Sequence, residues 1–383
     1  MIKNDNFVKN LVIRARKSHK IILDPFGMPF RWCNNNCSFC YLKNYMFKKP
    51  LPIDDMNKIL NNMLEWLDMY IEEFDIDTEI RMILIGGELF CLGDEYYRFY
   101  KKVITLTDNV LKKHCRRLKT VGFCTNLLLN EDRIDALIDL HKHCISEEIH
   151  SDIFTSYDLY GRFDCKEKIE LWYNNVEYLH KNVPELGIGV EFLLIKQGLE
   201  RYVDNIDCPE NYYFDKIMTM DIDILGAAVT QRDNPQLVPS QDTLYKFYEK
   251  ILNLYGINNM LEEFETDLDR MKPRDDAPAL LIYFDQDGVK EKYCDGLINR
   301  TIDNEVGEKN FRCMQDPKWY KNFLYNKIGC ASCKYIKQCH INHTYTCNLC
   351  YMENNGIIGD HNCYLKRVYK LVEKYNELQR KDN

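Results

Sequence analysis

Cys33, Cys37 and Cys40 stand at x3 and x2 spacing in one short stretch, Cys-Asn-Asn-Asn-Cys-Ser-Phe-Cys, with Phe39 just before the last. Three thiolates so placed can hold three irons of a [4Fe-4S] cube. The fourth iron then has no protein ligand. An open iron can bind a substrate directly, which a cluster closed by four cysteines cannot do. The competing chemistries are a structural zinc loop, which wants a fourth ligand nearby, or scattered free thiols. A second short motif, Ile85-Gly86-Gly87-Glu88, follows an apolar run. Two glycines let a backbone approach a ligand closely, and the acid can accept from an ammonium group.

Eight more cysteines crowd the stretch from Cys294 to Cys363. Cys330, Cys333 and Cys339 follow the pattern Cys-x2-Cys-x5-Cys; Cys294 and Cys313 precede them, and Cys347, Cys350 and Cys363 follow. Two closed four-cysteine clusters would use all eight. A zinc ribbon built from the Cys330/Cys333 and Cys347/Cys350 pairs is the alternative, and it leaves Cys294, Cys313, Cys339 and Cys363 without a role. The remaining six, Cys91, Cys115, Cys124, Cys144, Cys165 and Cys208, are scattered singly. Buried free cysteine behaves as a small hydrophobe, and most of these read that way.

The elements that must position these groups follow from periodicity. Residues 20–26 are an apolar run ended by proline, a first strand feeding the cysteine loop. From Ile53 to Phe74 apolar residues recur at helical spacing, and Arg81–Ile85 reads as a buried parallel strand. The alternation continues with helices around 94–114, 131–142 and 166–182, and strands around 119–124, 151–156 and 187–195. Strands alternating with helices imply a parallel sheet with right-handed crossovers and catalytic groups at the carboxyl ends of its strands. Periodicity does not separate a partial barrel from an open doubly wound sheet. After about residue 230 the pattern changes to a helix near 241–255, a β-hairpin over 279–294, the cysteine-rich loops and a final helix over 365–378.

The chain has 383 residues, enough for one large domain and a smaller one. Its net charge of −8 argues against a duplex nucleic-acid partner. The one basic run, Lys112–Arg117, sits where a helix should end, and cations are favourable there. The N-terminus lacks the apolar core of a signal peptide and no stretch of 18 apolar residues occurs, so a cytoplasmic protein with no membrane partner is expected. Seventeen cysteines would stay reduced there, and no disulfide framework is expected.

Together these motifs resemble the radical S-adenosylmethionine (SAM) superfamily, whose Cys-x3-Cys-x2-Cys signature Cys33, Cys37 and Cys40 match. The C-terminal cysteines resemble its SPASM extension. The resemblance implies an α/β fold, a partial (β/α)6 TIM-like barrel with a small C-terminal cysteine-rich α+β domain. It divides the chain into a barrel over 1–230, a connecting helical region over 231–278 and an auxiliary-cluster domain over 279–383. It implies a SAM-binding [4Fe-4S] cluster, SAM itself and two auxiliary [4Fe-4S] clusters as cofactors. In the family the amino and carboxylate groups of SAM chelate the open iron. Gly86, Gly87 and Glu88 resemble the Gly-Gly-Glu that holds the SAM amino group. By the same resemblance Asn126 lines the pocket, Ser156 and Asp158 lie near the ribose, Arg162 meets the carboxylate and Phe39 packs on the cluster or adenine. Glu191 and Lys196 are further candidates. Leu159 stands where the family often has glycine. Cys330, Cys333, Cys339 and Cys363 would hold the outer auxiliary cluster and Cys294 and Cys313 belong to the inner one. His343 stands where the family usually has a cysteine, so Cys347, Cys350 or His343 would complete the ligand sets.

The resemblance implies an oxygen-sensitive enzyme that cleaves SAM reductively and abstracts hydrogen from a peptide or small protein, served by a flavodoxin or ferredoxin as one-electron donor. A small-metabolite dehydrogenase and a non-catalytic zinc or iron–sulfur protein are the alternatives. About 20 residues precede the first strand, so a winged-helix leader-peptide domain is not expected. Met314 follows Cys313 where sulfatase maturases carry an aspartate, with Asp316 two residues on, which disfavours that chemistry. Cys124 and Cys208 are the default candidates for a hydrogen-donating thiol. No individual catalytic residue is assigned.

Overall fold

A computed structural model of the protein describes residues 20–27, 29–40, 46–228, 235–257, 261, 280–285, 288–291, 333–335 and 363–382. Its strands are β1 (Lys20–Asp24), β2 (Glu79–Leu84), β3 (Leu118–Cys124), β4 (His150–Ser156), β5 (Gly187–Leu194), β6 (Asp223–Ala228), β7 (Leu280–Asp285) and β8 (Gly288–Glu291). Its helices are α1 (Ile53–Tyr70), α2 (Asp94–Lys113), α3 (Glu131–Ser146), α4 (Lys166–Asn182), α5 (Lys196–Val203), α6 (Pro209–Ile217), α7 (Gln241–Tyr255) and α8 (Tyr364–Asp382). The fold class is α/β. The chain forms two compact units; the first contains β1 to β4, β5 as far as Val190, and β7 and β8.

In the first unit the strands run in the order β5-β4-β3-β2-β1-β7-β8. The β1–β2, β2–β3, β3–β4 and β1–β7 pairs are parallel, and β7–β8 is antiparallel. Each strand alternates, so that Ile80, Met82 and Leu84 of β2 and Val121 and Phe123 of β3 all point to one buried face. The amphipathic helices supply the other side of that core. Met56, Ile59, Leu60, Met63, Trp66 and Leu67 recur at helical spacing along α1 and are all buried. Each such side chain contributes about 1.5–3 kcal/mol when fully buried. Asn130 caps α3 by accepting from the Arg133 N–H at 3.1 Å. The basic run closes α2 as expected: Lys112 and Lys113 lie in its last turn, and Arg116 donates to the Phe74 carbonyl at 2.6 Å.

The hairpin expected over 279–294 forms as β7 and β8, but its place differs from the expectation. It joins the first unit, with β7 parallel to β1, and not the C-terminal segment. The physical reason is that β1 would otherwise be an unpaired edge. The apolar Leu-Leu-Ile-Tyr-Phe run of β7 fills that edge, with Phe284 meeting Trp66 edge-on at 5.9 Å. The expected boundary at residue 230 also moves: Tyr157–Gly161 and the chain from Glu191 belong to the second unit. There the Tyr157 N–H donates to the Glu191 carbonyl at 3.0 Å, and a Cβ on Gly198 would lie 2.8 Å from Leu159.

The second unit holds β6 beside the outer part of β5, and α5 to α8. Phe214 of α6 meets Phe192 and Tyr202 edge-on, both at 4.8 Å. Helix α8 packs on α7 through stacked Tyr248 and Tyr364 and an Arg367–Asp242 ion pair at 2.6 Å. Tyr335 is buried against the same helix, stacked on Tyr369 at 4.8 Å and donating to Glu373 at 2.7 Å. Of the C-terminal cysteines only Cys333 and Cys363 are described; Cys294, Cys313, Cys330, Cys339, Cys347, Cys350 and His343 lie outside the described residues. Among the described residues no helix is long and apolar enough to cross a membrane.

Candidate functional site

The first unit brings most of the residues singled out in the sequence to the carboxyl ends of β2, β3 and β4. The lead-in to the cysteine loop lies directly on the Gly-Gly-Glu segment: Gly87 N–H donates to the Phe30 carbonyl at 2.9 Å and Glu88 N–H to the Trp32 carbonyl at 2.7 Å. A Cβ on Gly87 would lie 2.1 Å from the Trp32 carbonyl oxygen, and one on Gly86 3.0 Å from the Phe30 ring. The glycines are therefore needed for close backbone approach, as expected, but what approaches them is the chain's own cysteine loop. Beyond the loop, the Phe47 N–H returns to the Arg31 carbonyl at 2.7 Å and ties off the excursion.

Three asparagines moor the loop to the neighbouring strand ends. Asn126, after β3, donates from its amide to Asn34 Oδ1 at 2.7 Å and reaches Cys33 Sγ at 3.6 Å. Asn34 donates to the Leu128 carbonyl at 3.1 Å, and Asn35 to the Arg162 carbonyl at 3.0 Å. Asn35 also faces the sulfurs, its backbone N–H at 3.3 Å from Cys33 Sγ and its amide at 3.3 Å from Cys37 Sγ. Leu127 sits in the left-handed region at φ 51°, a conformation costing a leucine about 1–2 kcal/mol. The Thr125 hydroxyl accepts from its N–H, and Asn175 of α4 donates to the carbonyls of Leu127 and Leu129.

Glu88 is almost wholly buried. Its Oε1 accepts from Phe90 N–H at 3.0 Å and its Oε2 from Asn126 N–H at 2.5 Å, so the carboxylate ties the β2 end to the β3 end. Burial pushes its pKa up to about 7, against the lowering effect of those two hydrogen bonds, the Thr125 hydroxyl and the Arg162 charge. Arg162 donates to Ser156 Oγ at 2.8 Å and lies over the Phe39 ring at 5.3 Å. Asp158 lies in the second unit, fully buried, its Oδ1 accepting from Leu193 N–H at 2.8 Å. Glu191 and Lys196 also belong to the second unit.

The Cys33 thiol is pushed up to about 12, chiefly by burial, then by the Glu88 charge, with smaller contributions from Cys37 and Cys40. Among the described residues no three Cys, His, Asp or Glu side chains converge at metal-ligating distances. The donor set nonetheless suits an iron–sulfur cluster: three thiols on one anchored loop, with N–H groups directed at two of the sulfurs, the kind of hydrogen bond that tunes such clusters. Metal binding would displace the thiol protons. Cys91, read from sequence as a scattered core thiol, is only half-buried and sits in the turn after Glu88, its Sγ 3.7 Å from the Glu88 carbonyl.

Sequence reasoning missed Asn34, Asn35 and Asn175, although three consecutive amides inside the cysteine spacing were a visible signal. It also missed Tyr97 and Tyr100 of α2, whose hydroxyls hold the carbonyls of Phe90 and Leu89 behind the Gly-Gly-Glu turn. In the second unit, Cys363 stands at the head of α8, its carbonyl accepting from Arg367 N–H, and Cys333 directly precedes Lys334 and Tyr335, which bind Glu373 of the same helix. No protein-family model matches the chain, and no curated protein matches it significantly.

Proposed function

We propose that the chain is a radical SAM enzyme that abstracts hydrogen from a peptide or small protein substrate. The observation that carries the reading is the mooring of the Cys33–Cys40 loop to three strand ends at once, through Gly87 and Glu88, through Asn126 and through Arg162. A loop meant only to fill space would not need so many fixed points on the catalytic end of a parallel sheet. When bound, the cluster would supply one electron to cleave SAM to a 5′-deoxyadenosyl radical.

The chain's own residues supply the holding and the orientation. Cys33, Cys37 and Cys40 would hold the cluster, with Asn35 donating to two of the sulfurs. Arg162, kept in place by Ser156 and Phe39, is the cation suited to the SAM carboxylate. Glu88 keeps the β2 and β3 loops in register. Cys333 and Cys363, on segments joined through α8, are proposed to share an auxiliary cluster with Cys330 and Cys339, and a second auxiliary cluster would draw on Cys294 and Cys313. The partial (β/α)6 barrel, a flavodoxin- or ferredoxin-type reductant and a cytoplasmic location belong to the same proposal.

The test is anaerobic iron reconstitution followed by reduction with SAM. Wild type should bind iron and release 5′-deoxyadenosine, and Cys33→Ala should release none. Failure of reduced, iron-replete wild type to form any nucleoside would remove the radical reading.

A further inference from the structure

Among the described residues of the first unit, helices cover one face of the sheet. Met82, Val121, Ile153, Ile188 and Val190 are buried beneath the helices, whereas Arg81, Ile83, Thr120, Cys124, Asp152 and Ser156, on the opposite face, are half-exposed. Phe154 stands in the middle of that open face with 44% of its surface in solvent, an unusual state for a large ring inside a parallel sheet.

Its neighbours across both strands are glycines. A Cβ on Gly122 of β3 would lie 2.8 Å from Phe154 Cε2, and one on Gly189 of β5 3.3 Å from Cδ1. Those two ring atoms are opposite each other, so the ring reaches from one glycine to the other and lies low across three strands. Shielding of the glycine backbones accounts for the ring's inner side. Its outer side remains available to a ligand. The charges beside it are paired among themselves: Arg81 with Glu79 at 2.5 Å, and His150 Nε2 with Asp152 Oδ1 at 2.8 Å. What the face offers at its centre is thus a neutral aromatic surface. It is continuous with the cofactor site, because Cys124 is the register partner of Phe154 and Asn126, which reaches Cys33, stands two residues beyond. Two strand residues span about 7 Å.

We infer that the substrate lies on this open face and that Phe154 is a specificity-determining contact for a neutral planar group, in a peptide an aromatic side chain. The inference rests on the proposed function for the reaction that follows binding. Saturation-transfer NMR on the full chain tests it, with N-acetyl-tryptophanamide as probe and N-acetyl-lysinamide as competitor. Wild type should bind the tryptophan probe and Phe154→Leu should bind it about 5-fold more weakly, the scale of one aromatic contact. Phe154→Tyr should restore binding, Gly122→Ala should weaken it by displacing the ring, and the lysine compound should not compete. No binding by wild type, or equal binding by wild type and Phe154→Leu, overturns the inference. Nucleoside release by wild type, measured without any probe, keeps the two readings separate: its absence removes the radical reading, whereas nucleoside release with unchanged probe affinity in Phe154→Leu removes the platform alone.

Discussion

Two buried carboxylates stand at opposite ends of the same sheet. Asp108 of α2, at the amino end of β3, meets Lys112 Nζ at 2.8 Å and Arg117 Nε at 3.2 Å and accepts from Leu118 N–H at 2.9 Å. Glu88, beyond the carboxyl end of β2, accepts from the N–H groups of Phe90 and Asn126, and the Arg162 charge acts on it. Equal burial thus has opposite consequences. The first charge is neutralised on the spot and serves stability. The second has its pKa pushed up to about 7, because burial outweighs its hydrogen bonds and the Arg162 charge, beside a loop of thiols. Perturbed groups of that kind gather where chemistry is done, and the carboxyl ends of parallel strands are where they are expected.

The contrast is sharpest under mutation. Asp108→Ala leaves two cations without their buried partner and should cost about 3–5 kcal/mol, read by chemical denaturation, while iron bound per folded molecule stays at the wild-type level. Gly87→Ala drives a methyl into the Trp32 backbone and should cost about 1–3 kcal/mol. Unlike the first variant it should also lower iron retention after desalting, because the cysteine loop must shift. Glu88→Gln keeps the shape but turns one amide N–H toward a backbone donor, a loss of about 1–3 kcal/mol with reduced iron retention. If Asp108→Ala and Glu88→Gln changed iron binding equally, the division between the two ends would fail.

A smaller effect belongs to the amino ends alone. His141 is buried with Nδ1 2.7 Å from Ser151 Oγ, and burial lowers its pKa from the ordinary 6.5. The folded protein therefore keeps it neutral while the unfolded chain protonates it. Stability should rise with pH through the window just below 6.5 and fall on acidification. His141→Gln should flatten that slope in urea titrations at pH 5 and pH 7; an unchanged slope would place the acid sensitivity elsewhere.

Much of the scaffold could be read from the chain. The apolar spacing of α1, α2 and α4 and the runs of β2 to β5 match the expected spans within a few residues. Helices α5 and α6 escaped because eight and nine residues give periodicity little room, and β6 because it follows them without a break in pattern. The placement of β7 beside β1 escaped for another reason: an apolar run announces a strand but not its partner.

Residue types and spacing by themselves determined the three-thiol loop, the Gly-Gly-Glu turn and the α/β alternation, because local geometry and helical or strand periodicity are written in neighbouring residues. Tertiary structure alone decided that the two glycines receive the cysteine loop, that Glu88 joins two strand ends, and that Phe154 lies open between two glycines. Those relations join positions from about 30 to more than 100 residues apart, and only strand order and register bring such positions together.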